Sequence, residues 1–366
     1  MLKKRLNECQ FTLALEIKGP FLIKDGRYKK KEWEKRGRLN KNVENPDAIF
    51  VCQNSEKQIK DAIENRNNYS SLQFFVPGTS LRGWIRSHAE KIIRTLSGNG
   101  DPYCCDPFDT NTTNNSISCS QRLDNPQEKL DTVVSYANIC LVCKLFGCTA
   151  SASRIAITDS NIVHQNPAKF RDGVGIDRFT GGSSTGALFK NHVLTNAAFT
   201  SQVTIRNFEI WQLGLLAYVL RDLENEQVPL GFGKSKGFGK VKATVNNLSF
   251  IYYGGEQGIP IGIGDMMSKD DVLQYGLVPS VDIMKAKLEQ NENGWYYRNY
   301  KLSDQPPENT PLTLQPFWQQ CAEGWNAAWT GKTVDGKKFF SSVPDLNQKA
   351  DVANEESEET MEVAHE

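Results

Sequence analysis

Val228-Pro-Leu-Gly-Phe-Gly-Lys-Ser-Lys-Gly-Phe-Gly-Lys-Val241 is the stretch around which the rest of this chain can be ordered. Its pattern, Gly231-x-Gly233-x-x-x-Gly237-x-Gly239 with lysines at 234, 236 and 240, brings bare backbone and positive charge to one turn. Glycine permits positive φ and close approach, so such a turn suits contact with a polyanion. Two common phosphate loops fail on spacing. A Walker A loop needs glycine where Val228 stands, and a dinucleotide fingerprint needs its third glycine one residue before Gly237. Two readings stay open: a phosphate contact of another kind, to a nucleic-acid backbone, and an ordinary glycine-rich hairpin turn.

Outward from the tract the elements fall into order. Residues 208–223 carry Trp211, Leu215, Val219 and Leu223 at helical spacing, and 240–252 reads as a closing strand. Farther upstream, 11–17 and 199–206 alternate as strands, and 154–158 is a short one. A first helix runs to about Leu96, with Leu81, Ile85, His88/Ala89, Ile92 and Leu96 as its apolar stripe and Thr79 or Ser80 as N-cap. The order strand, helix, two strands, helix, strand is an α+β plan, the ferredoxin-like or RRM-like βαββαβ core. This core occupies residues 1–252, with insertions at 18–70, 97–150 and 171–195, the last a long hairpin. Residues 253–344 hold four tryptophans and several prolines and form a C-terminal elaboration whose aromatics belong to a core. Residues 345–366 are too polar to fold and form an acidic tail.

The formal charge is zero but unevenly spread. Residues 345–366 hold eight acids against one lysine, net −7, which leaves residues 1–344 at about +7. Residues 24–41 alone hold nine Lys/Arg against three acids. A basic body favours an anionic partner, although the run at 29–38 equally suits a solvated loop. No apolar run is long enough to span a bilayer, and the short one at 11–15 closes on Glu16, so neither a membrane anchor nor a signal peptide is expected. The expectation is a cytoplasmic protein.

Nine cysteines in that compartment argue for metal ligation or buried thiols rather than disulfides. Cys140-Leu-Val-Cys143 has the two-residue spacing of a tetrahedral site, and a polar loop upstream needs something to order it. The preferred set for Zn²⁺ is Cys105, Cys119, Cys140 and Cys143, with Cys104 and Cys148 as substitutes. A redox pair and inert thiols are the alternatives. The four histidines, at 88, 164, 192 and 365, sit in no nucleophile or zincin motif. Any cleavage must then use a carboxylate and a reactive substrate, which suits RNA with its own 2′-hydroxyl.

Four segments resemble the RAMP superfamily, and within it the backbone subunits of type III CRISPR effector complexes. They are Phe75-Val-Pro-Gly-Thr-Ser-Leu-Arg-Gly-Trp-Ile-Arg86, Cys140-Leu-Val-Cys-Lys-Leu-Phe-Gly147, Gly175-Ile-Asp-Arg-Phe-Thr-Gly181 with Ala187-Leu-Phe189, and the Gly-rich tract itself. Together they stand in the family's order over roughly residues 10–252. The resemblance implies an RNA-binding subunit that holds guide crRNA and complementary target RNA beside other effector subunits. Backbone amides at Gly78, Thr79 and Ser80, with Arg82 and Arg86, would hold guide phosphates. Lys234, Ser235, Lys236, Gly237 and Lys240 would hold others, and Asp177, Arg178 and Phe179 belong to a thumb hairpin that wedges between bases. Catalytic relatives cut target RNA with one aspartate after the first strand. That carries over to Asp47, with Asp25 as second candidate and Mg²⁺ as the assisting metal. A catalytically silent RNA-binding subunit is the other implied reading.

Overall fold

The computed structural model describes residues 4–40, 45–65, 69–97, 103–108, 118–123, 131–165, 168–280 and 282–330. The acidic stretch 345–366, with His365, and much of the polar region 97–139 lie outside the described residues. The strands are β1 (Asn7–Ile17), β2 (Ile155–Ile157), β3 (Asn161–Gln165), β4 (Lys169–Ile176), β5 (Ser183–Val193), β6 (Ala197–Arg206), β7 (Val241–Tyr253), β8 (Leu288–Asn293) and β9 (Tyr297–Leu302). One mixed α+β body forms on an antiparallel sheet in the order β2-β6-β1-β7-β9-β8, with β3 also on β6. β4 and β5 form a separate two-stranded hairpin, which an isolated bridge from Asn191 to Ala48 ties to the rest of the fold.

β1 sits at the centre because its sequence alternates. Cys9, Phe11, Leu13, Leu15 and Ile17 are buried, while Glu16 between them is exposed. It pairs with β6 (Leu15 opposite Phe199) on one side and β7 (Leu13 opposite Val245) on the other. Gln10 pairs with Ser249 but Thr12 with Asn246, so β7 carries one extra residue, and Asn247 there has φ 54°. That bulge moves the buried set from Val241, Ala243 and Val245 to Leu248, Phe250 and Tyr252, which keeps the apolar side on the core.

Two long helices join these strands. In Gly78–Ser97 the buried stripe is Leu81, Ile85, Ala89 and Ile93. The expected stripe ended one turn later, but Leu96 is 48% exposed. His88 leaves the stripe altogether and pairs with Asp222 at 2.9 Å on the second helix, Ile210–Glu224.

That second helix is buried nearly all round, because the C-terminal helix Pro316–Thr330 packs on its outer side. A Cβ on Gly214 would meet the Cys321 carbonyl at 2.1 Å, so glycine sets how closely the two helices approach. Trp318 meets Phe11 edge-on at 5.5 Å, and Trp325 meets Trp211 at 6.0 Å. Both tryptophans are core residues, whereas Trp295 at the β8–β9 turn is fully exposed.

A buried polar knot ties the parts together. Glu209 accepts hydrogen bonds from Tyr136 Oη (2.8 Å) and the Val278 amide (2.8 Å), and Arg154 lies 3.6 Å away. No helix among the described residues is long and apolar enough to cross a membrane.

Candidate nucleic-acid interface and four-cysteine centre

Three short segments deliver the sulfurs. Cys140 caps the helix Leu141–Phe146, and its Sγ accepts the Cys143 amide at 3.4 Å. Cys119 opens the helix Cys119–Leu123, and its Sγ accepts the Cys140 amide at 3.3 Å. Cys105 Sγ lies 3.6 Å from Cys140 Sγ and 3.7 Å from Cys143 Sγ. All four sulfurs are buried and within 4.8 Å of one another. Tetrahedral zinc with ordinary Zn–S bonds places sulfurs about 3.8 Å apart, whereas a disulfide needs about 2 Å, so the spacing suits a shared metal ion.

The surrounding charge agrees. Arg86 Nη2 approaches Cys143 Sγ at 3.5 Å, and Arg122 Nη2 approaches Cys119 Sγ at 3.6 Å. Hydrogen bonds among the clustered cysteines hold the Cys140 thiol well below its ordinary range, Cys104 first, and push those of Cys119 and Cys143 up, so without an ion the four sulfurs share protons unevenly. Thiolate is the form that binds metal. Cys104 and Cys148 are not among the four.

This centre engages residues that the sequence assigned to RNA. Arg82 donates to the Phe146 carbonyl, and Arg86 donates to the Gly147 carbonyl (3.1 Å) and to Glu90. Both guanidiniums therefore dock the cysteine module onto the first helix, where carbonyls at the C-terminal end of Leu141–Phe146 need donors.

The start of the first helix is likewise used internally. The Gly78 amide donates to Asp159 Oδ1 at 2.8 Å, so a carboxylate of the chain itself stands at that helix N-terminus. Gly78 is buried, and a Cβ there would lie 2.1 Å from the Ile157 carbonyl, so its glycine serves packing against β2. Thr79 and Ser80 lie inside the helix and are exposed; neither is its cap.

The Gly-rich loop divides in two. Its ends are fixed on residues 18–22, through Phe232 N–H to Leu22 O (2.7 Å) and Gly239 N–H to Pro20 O (2.8 Å). Gly239 has φ 92°, and a Cβ there would meet the Leu230 carbonyl at 2.0 Å, so only glycine fits. The middle, Lys234–Lys236, is a single 3₁₀ turn between left-handed Gly233 and Gly237. Lys234, Ser235, Lys236, Gly237 and Lys240 are all exposed. Lys240 pairs with Glu226 at 2.7 Å, and Lys236 Nζ lies 5.1 Å from the Phe189 ring centroid on β5.

The loop thus abuts the β4–β5 hairpin, the one expected over 171–195. Its turn is an Asx-turn: Asp177 Oδ1 accepts the Phe179 and Thr180 amides at 2.7 and 3.2 Å. Beyond it Phe179 is 100% exposed, and Val174, Ile176, Leu188 and Phe189 are exposed along the strands. Arg178 is exposed beside them.

The two aspartates stand in different places. Asp25 has a side chain only 2% exposed, paired with Arg27 at 2.5 Å, while Arg27 also reaches the Cys52 and Asn54 carbonyls. The Asp25 carboxylate is thus taken up by Arg27 inside the fold, with almost no surface open to a ligand. Asp47 is 32% exposed at the hairpin's root. Its Oδ2 accepts the Lys190 amide at 2.7 Å, and its Oδ1 faces Lys30 Nζ at 3.2 Å. Among the described residues the four cysteines are the one group placed to share a metal ion; none forms around Asp47.

Sequence reasoning missed Lys30, Lys190 and Asp159 as neighbours of these sites. Nothing in their local spacing pairs them with residues up to 143 positions away. Comparison with protein families matches residues 14–242 to the RAMP superfamily. No curated protein matches the chain. An exposed hairpin, a lysine-bearing glycine loop and a four-cysteine centre thus fall within or at the edge of a match that runs over more than half of the sequence, and the chain belongs to the RAMP superfamily.

Proposed function

We propose that this chain is a subunit of a type III CRISPR ribonucleoprotein that binds guide crRNA and complementary target RNA, on a ferredoxin-like core with the β4–β5 hairpin as its thumb. The hairpin carries the reading. Ile176 and Phe179 stand in water with Arg178 at its tip, and farther down the strand the exposed Phe189 ring centroid lies 5.1 Å from Lys236 Nζ; apolar rings with cations are the combination that stacks on bases and neutralises phosphates. Base pairing then supplies sequence recognition, and the protein grips backbone and shape. Zn²⁺ in the four-cysteine centre supplies the bonds that fix three short segments on the first helix; its role is structural.

The reading extends to cleavage of the target RNA at Asp47. There Asp47 aligns the 2′-hydroxyl, whose oxygen attacks the adjacent phosphorus as its proton passes to water, and the 5′-oxygen leaves with a proton from water, giving a 2′,3′-cyclic phosphate and a 5′-hydroxyl end. Among the described residues Asp47 belongs to no group of three or more metal-ligating side chains, so a Mg²⁺ there would be held by Asp47 and the RNA phosphate. Replacing Asp47 with Ala in the assembled complex is expected to abolish target cleavage while RNA stays bound. Asp25→Ala is expected to lower stability instead. Unchanged cleavage products from Asp47→Ala refute the nuclease assignment. A silent RNA-binding subunit is the second reading, favoured by the engagement of both Asp47 oxygens with Lys190 and Lys30.

A further inference from the structure

Beyond the family match, one corner of the sheet is built of aromatic rings. Tyr253 on β7 stands opposite Tyr297 on β9, and the β8–β9 turn next to them carries Trp295 and Tyr296. Trp295 is fully exposed and Tyr296 is 66% exposed. The Tyr253 and Tyr296 rings lie 5.8 Å apart at 27°, so a short stack already exists to which a further flat ring can be added.

Cations border this stack on its β1–β6 side. Arg5 Cζ lies 4.9 Å from the Tyr253 ring centroid. Arg206 on β6 stands directly opposite Glu8 on β1, and both guanidiniums converge on that carboxylate, Arg206 at 3.4 Å. Glu8 has a side chain only 3% exposed and also accepts from Tyr253 Oη at 3.2 Å. One buried carboxylate thus fixes two arginines whose own side chains are 54% and 59% exposed, and the positive charge exceeds the negative there. The exposed acids lie elsewhere: Glu289 and Glu292 on the edge strand β8, and Glu256 paired with Arg298 at 3.5 Å.

This chemistry selects the partner. The centre of a protein–protein interface is depleted of charge, whereas ionised groups border these rings. Among the described residues of β7, β8, β9 and the β8–β9 turn, the large apolar side chains that stand exposed are Trp295 and Tyr296, with no aliphatic one beside them. Ring faces flanked by guanidiniums suit nucleobases and their phosphates. The ten residues of β6, from Ala197 near the hairpin to Arg206, set the corner about 30 Å from the hairpin's root, within reach of one RNA strand.

We propose that Tyr253, Trp295 and Tyr296, with Arg5 and Arg206, form a second RNA contact that stacks unpaired bases and holds their phosphates. It shares its partner with the reading above but stands on other residues, and its rings lie outside the segment matched to the family.

The test uses full chains: the parent, the double variant Trp295→Ala/Tyr296→Ala, Trp295→Phe and Phe179→Ala. Each is titrated with a single-stranded mixed-sequence 20-nucleotide RNA, and thermal unfolding checks that folding is retained. RNA should quench tryptophan emission in the parent and markedly less in Trp295→Phe. The double variant should bind about tenfold more weakly or worse, while Trp295→Phe, which keeps a ring, should stay within about threefold of the parent. Equal affinity for parent and double variant overturns the contact. If that variant instead loses a protein subunit from the native assembly at unchanged RNA affinity, the corner serves a protein and the proposal is likewise overturned. Weaker binding by the double variant but not by Phe179→Ala supports this contact and removes the hairpin reading; the reverse removes this contact alone. No RNA binding by any of the four overturns both.

Discussion

The β4–β5 hairpin holds apolar side chains in water, whereas the cysteine module holds ionisable sulfur away from it. Phe179 is fully exposed, while Cys140, Cys143 and Cys119 are all buried. Each arrangement is costly in isolation. Exposed aromatic surface loses the transfer energy that burial would give, and clustered thiols without a metal must share hydrogen bonds. The difference teaches where each region's missing partner lies. The module has the sulfur spacing to hold an ion inside the protein, so on the proposed reading its loss should be felt as stability. The hairpin presents apolar side chains to the outside, so on the proposed reading its loss should be felt as binding.

The largest effect should therefore come from the module. Cys143→Ser is expected to drop bound zinc from about one equivalent to below half and to cost on the order of 5 kcal/mol or more of stability. Metal analysis and thermal unfolding check this. Undiminished metal content in the variant breaks the comparison on its buried side.

The root of the hairpin, where exposed strand meets core, gives the next effect. His192 is buried between Tyr69, Phe74 and Phe170, neither ring nitrogen has a hydrogen-bond partner among the described residues, and burial pushes its pKa down to about 4 from 6.5. As pH falls, the unfolded chain takes up this proton before the folded one. Stability is thus fully present above about pH 6.5 and is lost between there and about pH 4, by about 3 kcal/mol. His192→Leu should flatten that part of the profile when urea midpoints are compared at pH 4.5 and 7. An unaltered slope assigns the acid sensitivity elsewhere.

Phe179→Ala sharpens the exposed side. Its stability should stay within about 0.5 kcal/mol of the parent, because the side chain touches no core. RNA binding should weaken by about 1–3 kcal/mol, the range of one lost stacking contact. A stability loss without a binding loss would reverse the assignment.

How much of this could be read from sequence follows the same division. Periodicity is local, so β1, the two long helices and the hairpin were legible from alternation, helical stripes and turn residues. The cysteine set was legible too, because metal ligands are few in kind and fixed in spacing. What lies opposite a residue was not legible. Arg82 and Arg86 have the look of phosphate-binding arginines, yet Phe146, Gly147 and Cys143 engage them. Gly78 looks like an anion-binding turn, yet Ile157 and Asp159 occupy its surroundings. The helix Pro316–Thr330 went unread although Trp318, Cys321, Trp325 and Trp329 recur on one face, because its opening proline and the prolines before it are easily taken for loop signals.

Ultraviolet crosslinking of the native assembly, with the bound nucleotides mapped to peptides, tests the central claim most directly. Crosslinks are expected within residues 169–193 and 230–240, at Phe179 and around Lys234 and Lys236. A preparation free of RNA, or crosslinks confined to other surfaces, contradicts it.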